Sequence, residues 1–315
     1  MLTRREFGFL TVAGLAGLRL RPATAVEAAA IDSKVNGVRI GAQTYSFRDL
    51  PRPAGAADSV DVVINAMKAS GLGECELWAP QVEPQFPSDG RGARGAPPSP
   101  AAVKAREDLR KWRLETSLDH FKNVRKKFDA AGIAIHGYNY SANASFSNEE
   151  IDRGFEMAKA LGAGFITAST TLDVAKRIAP LAEKHQMIVS MHGHSNVSDP
   201  NEFATPASFD AAMKMSKYFK INLDIGHFTA ANFDALAFLR EHHADITNLH
   251  LKDRRKNQGD NVPWGQGETP IREVLQTLKK ERWPIPADIE YEYRGTGTPT
   301  EEVKKCYEFA KQRLA

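Results

Sequence analysis

The sequence predicts a single (β/α)₈ TIM barrel. Three observations carry that prediction. Strand-like and helix-like stretches alternate eight times along the chain. Its 315 residues exceed by a modest margin the roughly 250 typical of one such barrel. The strand-like segments of the second half are polar on one face and apolar on the other, as expected where a barrel interior binds something. A composition of 42% hydrophobic and 26% charged residues suits a globular core that needs no disulfide. The domain is expected to run from residue 36 to residue 315.

Residues 1–25 read as an address. Arg4-Arg5 followed by Phe7 and Leu10 is a twin-arginine pattern. The apolar run from Phe7 to Leu18 is too short to span a bilayer as a helix. Pro22-Ala23-Thr24-Ala25 offers small residues of the kind a signal peptidase cuts after. The expectation is an exported, periplasmic protein without stable membrane insertion. Arg19 and Arg21 leave open both the cut site and an uncleaved anchor. This segment holds four arginines and one glutamate, so its removal takes the net charge from +3 to zero. A neutral chain argues against a nucleic-acid partner and is compatible with a small carbohydrate. A homo-oligomer is left open.

Strands are expected at 39–46, 74–78, 133–140, 165–168, 187–192, 220–225, 246–251 and 287–291. Helices are expected at 59–70, 117–131, 148–161, 172–185, 208–218, 232–242, 270–281 and 299–314. Strict alternation implies a parallel sheet, and eight strands close it into a barrel. A doubly wound open sheet is the rival, but no glycine-rich phosphate turn follows the first strand. Residues 81–116, rich in Pro and Gly, read as a loop insertion after strand two, either a lid or a surface segment. Residues 254–267 form a second such loop after strand seven. Cys75 and Cys306 read as buried apolar filler.

Side chains alternate along a strand, so residues two apart share a face. Strand five then presents Ser190, His192 and His194 together. Strand six presents Asn222 and Asp224; strand seven Asn248, His250 and Lys252; strand eight Asp288, Glu290 and Glu292. The opposite faces are apolar. Burying the polar faces in a barrel is costly unless something binds there. Histidine and carboxylate groups converging from four adjacent strands suit one divalent ion: Mn, Co, Zn, Fe, Ni or Mg. Further candidates for substrate contact are Glu76 on strand two, His136, which by alternation shares a face with Tyr138, and the indoles of Trp78 and Trp264. His227 is a candidate orienting group or acid, and His194 a ligand, a substrate contact or a surface residue.

Six segments resemble the sugar phosphate isomerase/epimerase family with its xylose-isomerase-like barrel. They are Leu223-Asp224-Ile225-Gly226-His227, His250-Leu251-Lys252-Asp253, Ile289-Glu290-Tyr291-Glu292, Glu76-Leu77-Trp78, Trp264-Gly265-Gln266-Gly267 and the stretch from Arg294 to Pro299. The resemblance covers nearly all of the chain beyond the address. It implies a metal-dependent barrel acting on sugars, inositols or related compounds, with ligands Glu, Asp, His and Glu from strands five to eight. Asp224, His250 and Glu290 match the last three positions. His192 stands where the epimerases carry glutamate, in Met191-His192-Gly193-His194, which is closer to a branch with a His-Asn-His motif. In the epimerases the two glutamates are also the acid/base pair, and this chain has one of them.

The expected chemistry is removal of a proton next to a carbonyl, with the enediolate stabilised by the metal and Lys252. Glu290, His192 and His194 are the candidate bases, and Lys252 or His227 the acid. Reprotonation gives an isomerase or epimerase. Expulsion of a β-leaving group gives instead a lyase on 3-keto-glycosides or keto-inositols, which an exported address favours. A carbohydrate-binding barrel without catalysis is a third reading. A repair endonuclease is a distant fourth, lacking the basic face.

Overall fold

A computed structural model describes residues 29–89 and 97–315. The twin-arginine pattern, the apolar run after it and the glycine-rich segment 90–96 lie outside the described residues. Eight parallel strands close into a barrel: β1 (Ile40–Gln43), β2 (Glu74–Trp78), β3 (Ala134–Asn139), β4 (Phe165–Ala168), β5 (Ile188–His192), β6 (Phe219–Asp224), β7 (Ile246–Leu251) and β8 (Ala287–Ile289). Each pairs with its chain neighbour, and β1 closes the ring against β8. The open-sheet rival is therefore excluded.

The apolar faces behave as alternation requires. Val189, Met191, Leu223, Leu249, Leu251 and Ile289 are buried outside the ring under the helices. Of the ten α-helices among the described residues, α1 (Val60–Ser70), α2 (Pro100–Glu115), α3 (Leu118–Ala130), α4 (Asn148–Leu161), α5 (Leu172–His185), α6 (Pro206–Met213), α7 (Ile225–Ala230), α8 (Ala235–His242), α9 (Ile271–Glu281) and α10 (Pro299–Leu314), all but α1 and α9 start at a side-chain cap. Ser147 and Glu150 make a reciprocal capping box at α4 (Asn148–Leu161), and Thr298 and Glu301 make another at α10 (Pro299–Leu314). Gly71, at φ 76°, closes α1 (Val60–Ser70) in the left-handed conformation that glycine adopts freely. Cys75 and Cys306 are both buried and unpaired. Among the described residues, no helix is long and apolar enough to cross a membrane.

Three expectations need correction. Residues 81–116 are only partly loop. Ser99 caps a 16-residue helix, α2 (Pro100–Glu115), with proline in its first turn, where a missing N–H costs nothing. The domain begins before residue 36: the Ile31 amide bonds to Gly132, and the Ser33 hydroxyl bonds to the Ile40 carbonyl. Finally, His136 and Tyr138 do not share a face. The β2–β3 register slips, pairing Cys75 with Ile135 but Glu76 with Gly137, so His136 is passed over. His136 points inward to Asp288, whereas Tyr138 stacks on Tyr140 with ring centroids 5.8 Å apart.

Candidate active site

At the C-terminal end of the barrel four groups converge. His192 closes β5, Asp224 closes β6, His250 lies near the end of β7, and Glu290 follows β8. One donor atom from each lies within 4.8 Å of the others, and all four residues are buried. The groups beneath fix which atoms face inward. His192 Nδ1 meets the Asn222 carbonyl oxygen at 2.8 Å, so Nδ1 carries the proton and the Nε2 lone pair is free. His250 Nε2 donates to Glu76 at 2.8 Å, which turns Nδ1 toward Glu290 at 3.1 Å. Asp224 Oδ1 accepts the His227 amide at 2.7 Å, capping the short helix α7 (Ile225–Ala230) and freeing Oδ2.

Asp224 Oδ2, His250 Nδ1 and Glu290 Oε2 are buried without a well-formed hydrogen bond. Their compensation is ionic, from Lys252 and from one another, and so many buried charges at one spot are costly. Two imidazole nitrogens and two carboxylate oxygens aimed at one spot fit a borderline divalent ion. Lys252, 2% exposed, adds a positive charge at the edge of that spot. Its Nζ lies 2.9 Å from Asp224, 2.7 Å from Glu290 and 2.5 Å from Glu292.

The electrostatics follow from burial and this charge pattern. Burial pushes the Glu290 carboxyl up, but Lys252 and His250 overcome it and hold it well below the usual range. Burial raises Asp224 to about 7, against the pull of Lys252. Burial disfavours charge on His250, yet Glu76 and Glu290 raise its pKa well above the ordinary value. The same two carboxylates would favour a metal cation at Nδ1 in place of the proton. Burial, assisted by neighbouring histidines, drives His192 well below its usual value, so it is a neutral imidazole suited to ligation.

Above the four donors lies a cavity of about 320 Å³, whose walls include Tyr45, Trp78, His194, His227, Lys252 and Glu292. His194 Nε2 sits 2.9 Å from the Ser169 hydroxyl. His192, His194 and His227 also lie within mutual ligand reach, but Arg254 disqualifies His227. Its Nη1 is 2.6 Å from His227 Nδ1. A guanidinium has only donors, so Nδ1 is the acceptor and Nε2 carries the proton. His227 thus presents an N–H to the cavity rather than a lone pair. Burial, then Lys252, keeps it neutral.

The structure gathers most of the residues singled out from sequence: His192, Asp224, His250, Lys252, Glu290, His194, His227 and Trp78. Three fall elsewhere. Glu76 is fully buried beneath the site, with both oxygens occupied by Gln43, Asn139, Thr167, Asn222, Asn248 and His250. It has no oxygen left for a substrate hydroxyl. His136 lies deeper still, 3.0 Å from Asp288 and 3.3 Å from Glu74. Trp264 is carried away by its loop. Asp253 accepts the amides of Gly265, Gly267 and Thr269, folding the loop onto α10, where Trp264 packs edge-on against Phe309. Sequence reasoning missed Tyr45 and Arg254 and gave Asn222, Asn248 and Glu292 no role, although alternation had put those last three on the inner face.

A protein-family model for the xylose isomerase-like TIM barrel matches residues 101–313. An L-ribulose-5-phosphate 3-epimerase UlaE of Salmonella paratyphi A is 30% identical over 98 residues, 31% of this chain and 34% of the relative. The match thus spans about a third of the relative's length. Among solved structures, an IOLI protein with a binding zinc atom is similar at TM-score 0.59 and 13% identity, covering 88% of this chain and 98% of that one. A sugar phosphate isomerase/epimerase from Parabacteroides distasonis ATCC 8503 is similar at TM-score 0.56 and 16% identity, covering 91% and 99%. At these identities the structural likeness speaks for the fold alone.

Proposed function

The chain belongs to the xylose isomerase-like TIM barrel family, and from that premise we propose that it is a divalent-metal-dependent sugar isomerase or epimerase that removes a proton next to a carbonyl. The observation that carries this reading is the convergence of four donor atoms from four consecutive strands, three of them buried without a well-formed hydrogen bond. A divalent ion held by His192, Asp224, His250 and Glu290 would polarise the substrate carbonyl and acidify the adjacent C–H. Glu290, ionised across the neutral range, accepts that proton. The Lys252 ammonium faces the charge that develops on the carbonyl oxygen. His227 offers its Nε2–H to a substrate oxygen, and Trp78, half-buried at the wall, offers a ring face to the sugar.

One observation favours a second reading, elimination. Two-base epimerisation uses a base on each face of the carbon. Here the strand-five position is His192, a neutral imidazole whose Nδ1 proton is given to Asn222. The site pairs Glu290 as base with the Lys252 ammonium as acid. On a 3-keto-glycoside, Glu290 would take the C2 proton and the C1–O bond would break. The Lys252 ammonium would give its proton to the departing oxygen, with the neutral His227 Nε2–H donating a hydrogen bond to it. An exported address, which we also propose from the twin-arginine pattern, suits such a substrate.

The test is metal content by elemental analysis of the full-length protein and of Asp224→Ala. About one equivalent in the parent, lost in the variant, is expected. Keto-sugars are then screened against 3-keto-glycosides, with loss of the aglycone as the mark of elimination. Absence of metal from both proteins after reconstitution would overturn the mechanism in favour of a binding barrel.

A further inference from the structure

The cavity at the barrel mouth has a neighbour. A second cavity of about 410 Å³ adjoins it beyond β1 and β2, and Trp78 lines both. The indole stands edge-on to Tyr45, with centroids 4.9 Å apart at 79°. The Arg48 guanidinium lies 4.4 Å over the Tyr45 ring and backs that pair. Trp78 is thus a braced side chain at the rim shared by the two spaces.

The chemistry of the second space is legible from its walls. Phe47, Leu50, Val62, Pro80, Pro84 and Leu109 supply apolar surface. Four charged residues reach it, and each is paired within the protein. Arg48 donates to the Tyr45 and Tyr291 carbonyls. Arg52 donates to the Ser59 hydroxyl and the Glu83 carbonyl. Arg113 forks onto the Glu83 carboxylate at 2.8 and 2.9 Å. Arg113 is neutralised by Glu83, while Arg48 and Arg52 spend their N–H groups on carbonyl and hydroxyl oxygens and keep the rim positive. Ser59 and Gln81 also line it but already bond Arg52 and the Thr44 carbonyl, so the hydroxyls of a second sugar would find few partners. A flat apolar group loses nothing there and gains contact with the indole.

We propose that the second cavity is an aglycone subsite, taking an aromatic group joined to the sugar held over the four donors. The proposal rests on the elimination reading, in which the substrate is a glycoside and has such a second half. It makes Trp78 the shared rim of the two spaces, past which the glycosidic oxygen joins sugar to aglycone.

Phenyl and methyl β-D-glucopyranosides test this. They differ in the aglycone alone, and without a carbonyl they report binding without turnover. By calorimetry on the metal-loaded full chain, the phenyl compound should bind at least tenfold more tightly than the methyl one. Leu109→Trp and Val62→Phe fill the second cavity from two half-buried positions. In each, circular dichroism should be unchanged, the phenyl advantage should fall below twofold, and methyl glucoside affinity should hold. Equal binding of the two glucosides to the parent, or equal weakening of both in the folded variants, overturns the subsite and leaves the sugar reading standing. Failure of either glucoside to bind overturns the sugar reading and the subsite with it.

Discussion

At the scale of single residues, the site is governed by groups that touch no substrate. Glu76 collects donors from six side chains, three on each oxygen. Through His250 it decides which imidazole nitrogen faces the four-donor spot. A glutamine at position 76 would set an amide N–H₂ against groups that are themselves donors. Glu76→Gln should therefore weaken metal affinity by about 10- to 100-fold, the usual cost of losing such a partner; competition with a chelator measures it, and unchanged affinity would show that Glu76 only packs. Arg254 acts on His227 in the same indirect way. In the parent, nitrogen NMR of the His227 ring should show Nε2 protonated. Arg254→Met should let both tautomers appear. A parent ring protonated at Nδ1 would refute the assignment. Alternation read from sequence was enough to find His192, Asp224, His250, Lys252 and Glu290, because the strands keep period two where they approach the mouth. It failed at His136, where the register slips, and no periodicity could place Arg254, which sits on a two-stranded ribbon (Asp253–Arg254 against Asn261–Val262) that lies beyond β7.

At the scale of elements, the barrel strands were legible and the decoration at their ends was not. Apolar period and length define β2, β4 and β7 to the residue. The segment after β2 is different, since Pro and Gly dominate its first half and mask the helix in its second. That helix, α2, buries only Arg113. Its buried attachment is ionic, since Arg113 binds Glu83 on the loop and reaches Glu150 of α4 at 3.4 Å, with half-buried Trp112 adding an edge-on contact to Phe121. Removing one partner of a buried pair leaves the other charge without compensation. Arg113→Ala should cost about 3 kcal/mol in urea denaturation and open residues 81–89 to limited proteolysis. A cost below about 1 kcal/mol would mean that α2 is held by other contacts. Since the same fork lines the second cavity, a loosened α2 should also erase any preference for an aryl glucoside.

At the scale of the whole molecule, the barrel axis is polar from end to end. Below Glu76, Asn248 passes the network to Asp288 at 2.9 Å, and His136 bridges Asp288 to Glu74, which Arg39 pairs at the far end. His136 Nδ1 and Asp288 Oδ1 lack a well-formed hydrogen bond in this network, so its groups are balanced as charges, and that couples stability to pH. Burial opposes charge on His136, but Asp288 and Glu74 outweigh it and raise its pKa from 6.5 to about 9. Burial likewise opposes charge on Glu74, but His136 and Arg39 lower it from 4.5 to about 2. The raised histidine stabilises the fold fully below pH 6.5, and that contribution disappears as pH climbs through 9. The lowered glutamate stabilises fully above pH 4.5 and loses its contribution as pH falls through 2. Both contributions are therefore complete between pH 4.5 and 6.5. The groups at the mouth titrate as well, so the comparison must be made against a variant. Relative to His136→Gln, the parent should lose about 3 kcal/mol of unfolding free energy between roughly pH 6 and pH 9.5. His136→Gln should start lower at pH 6 and lack this component. Parallel curves would mean that His136 is uncharged in the folded barrel and that Asp288 and Glu74 are balanced by Asn248 and Arg39 alone.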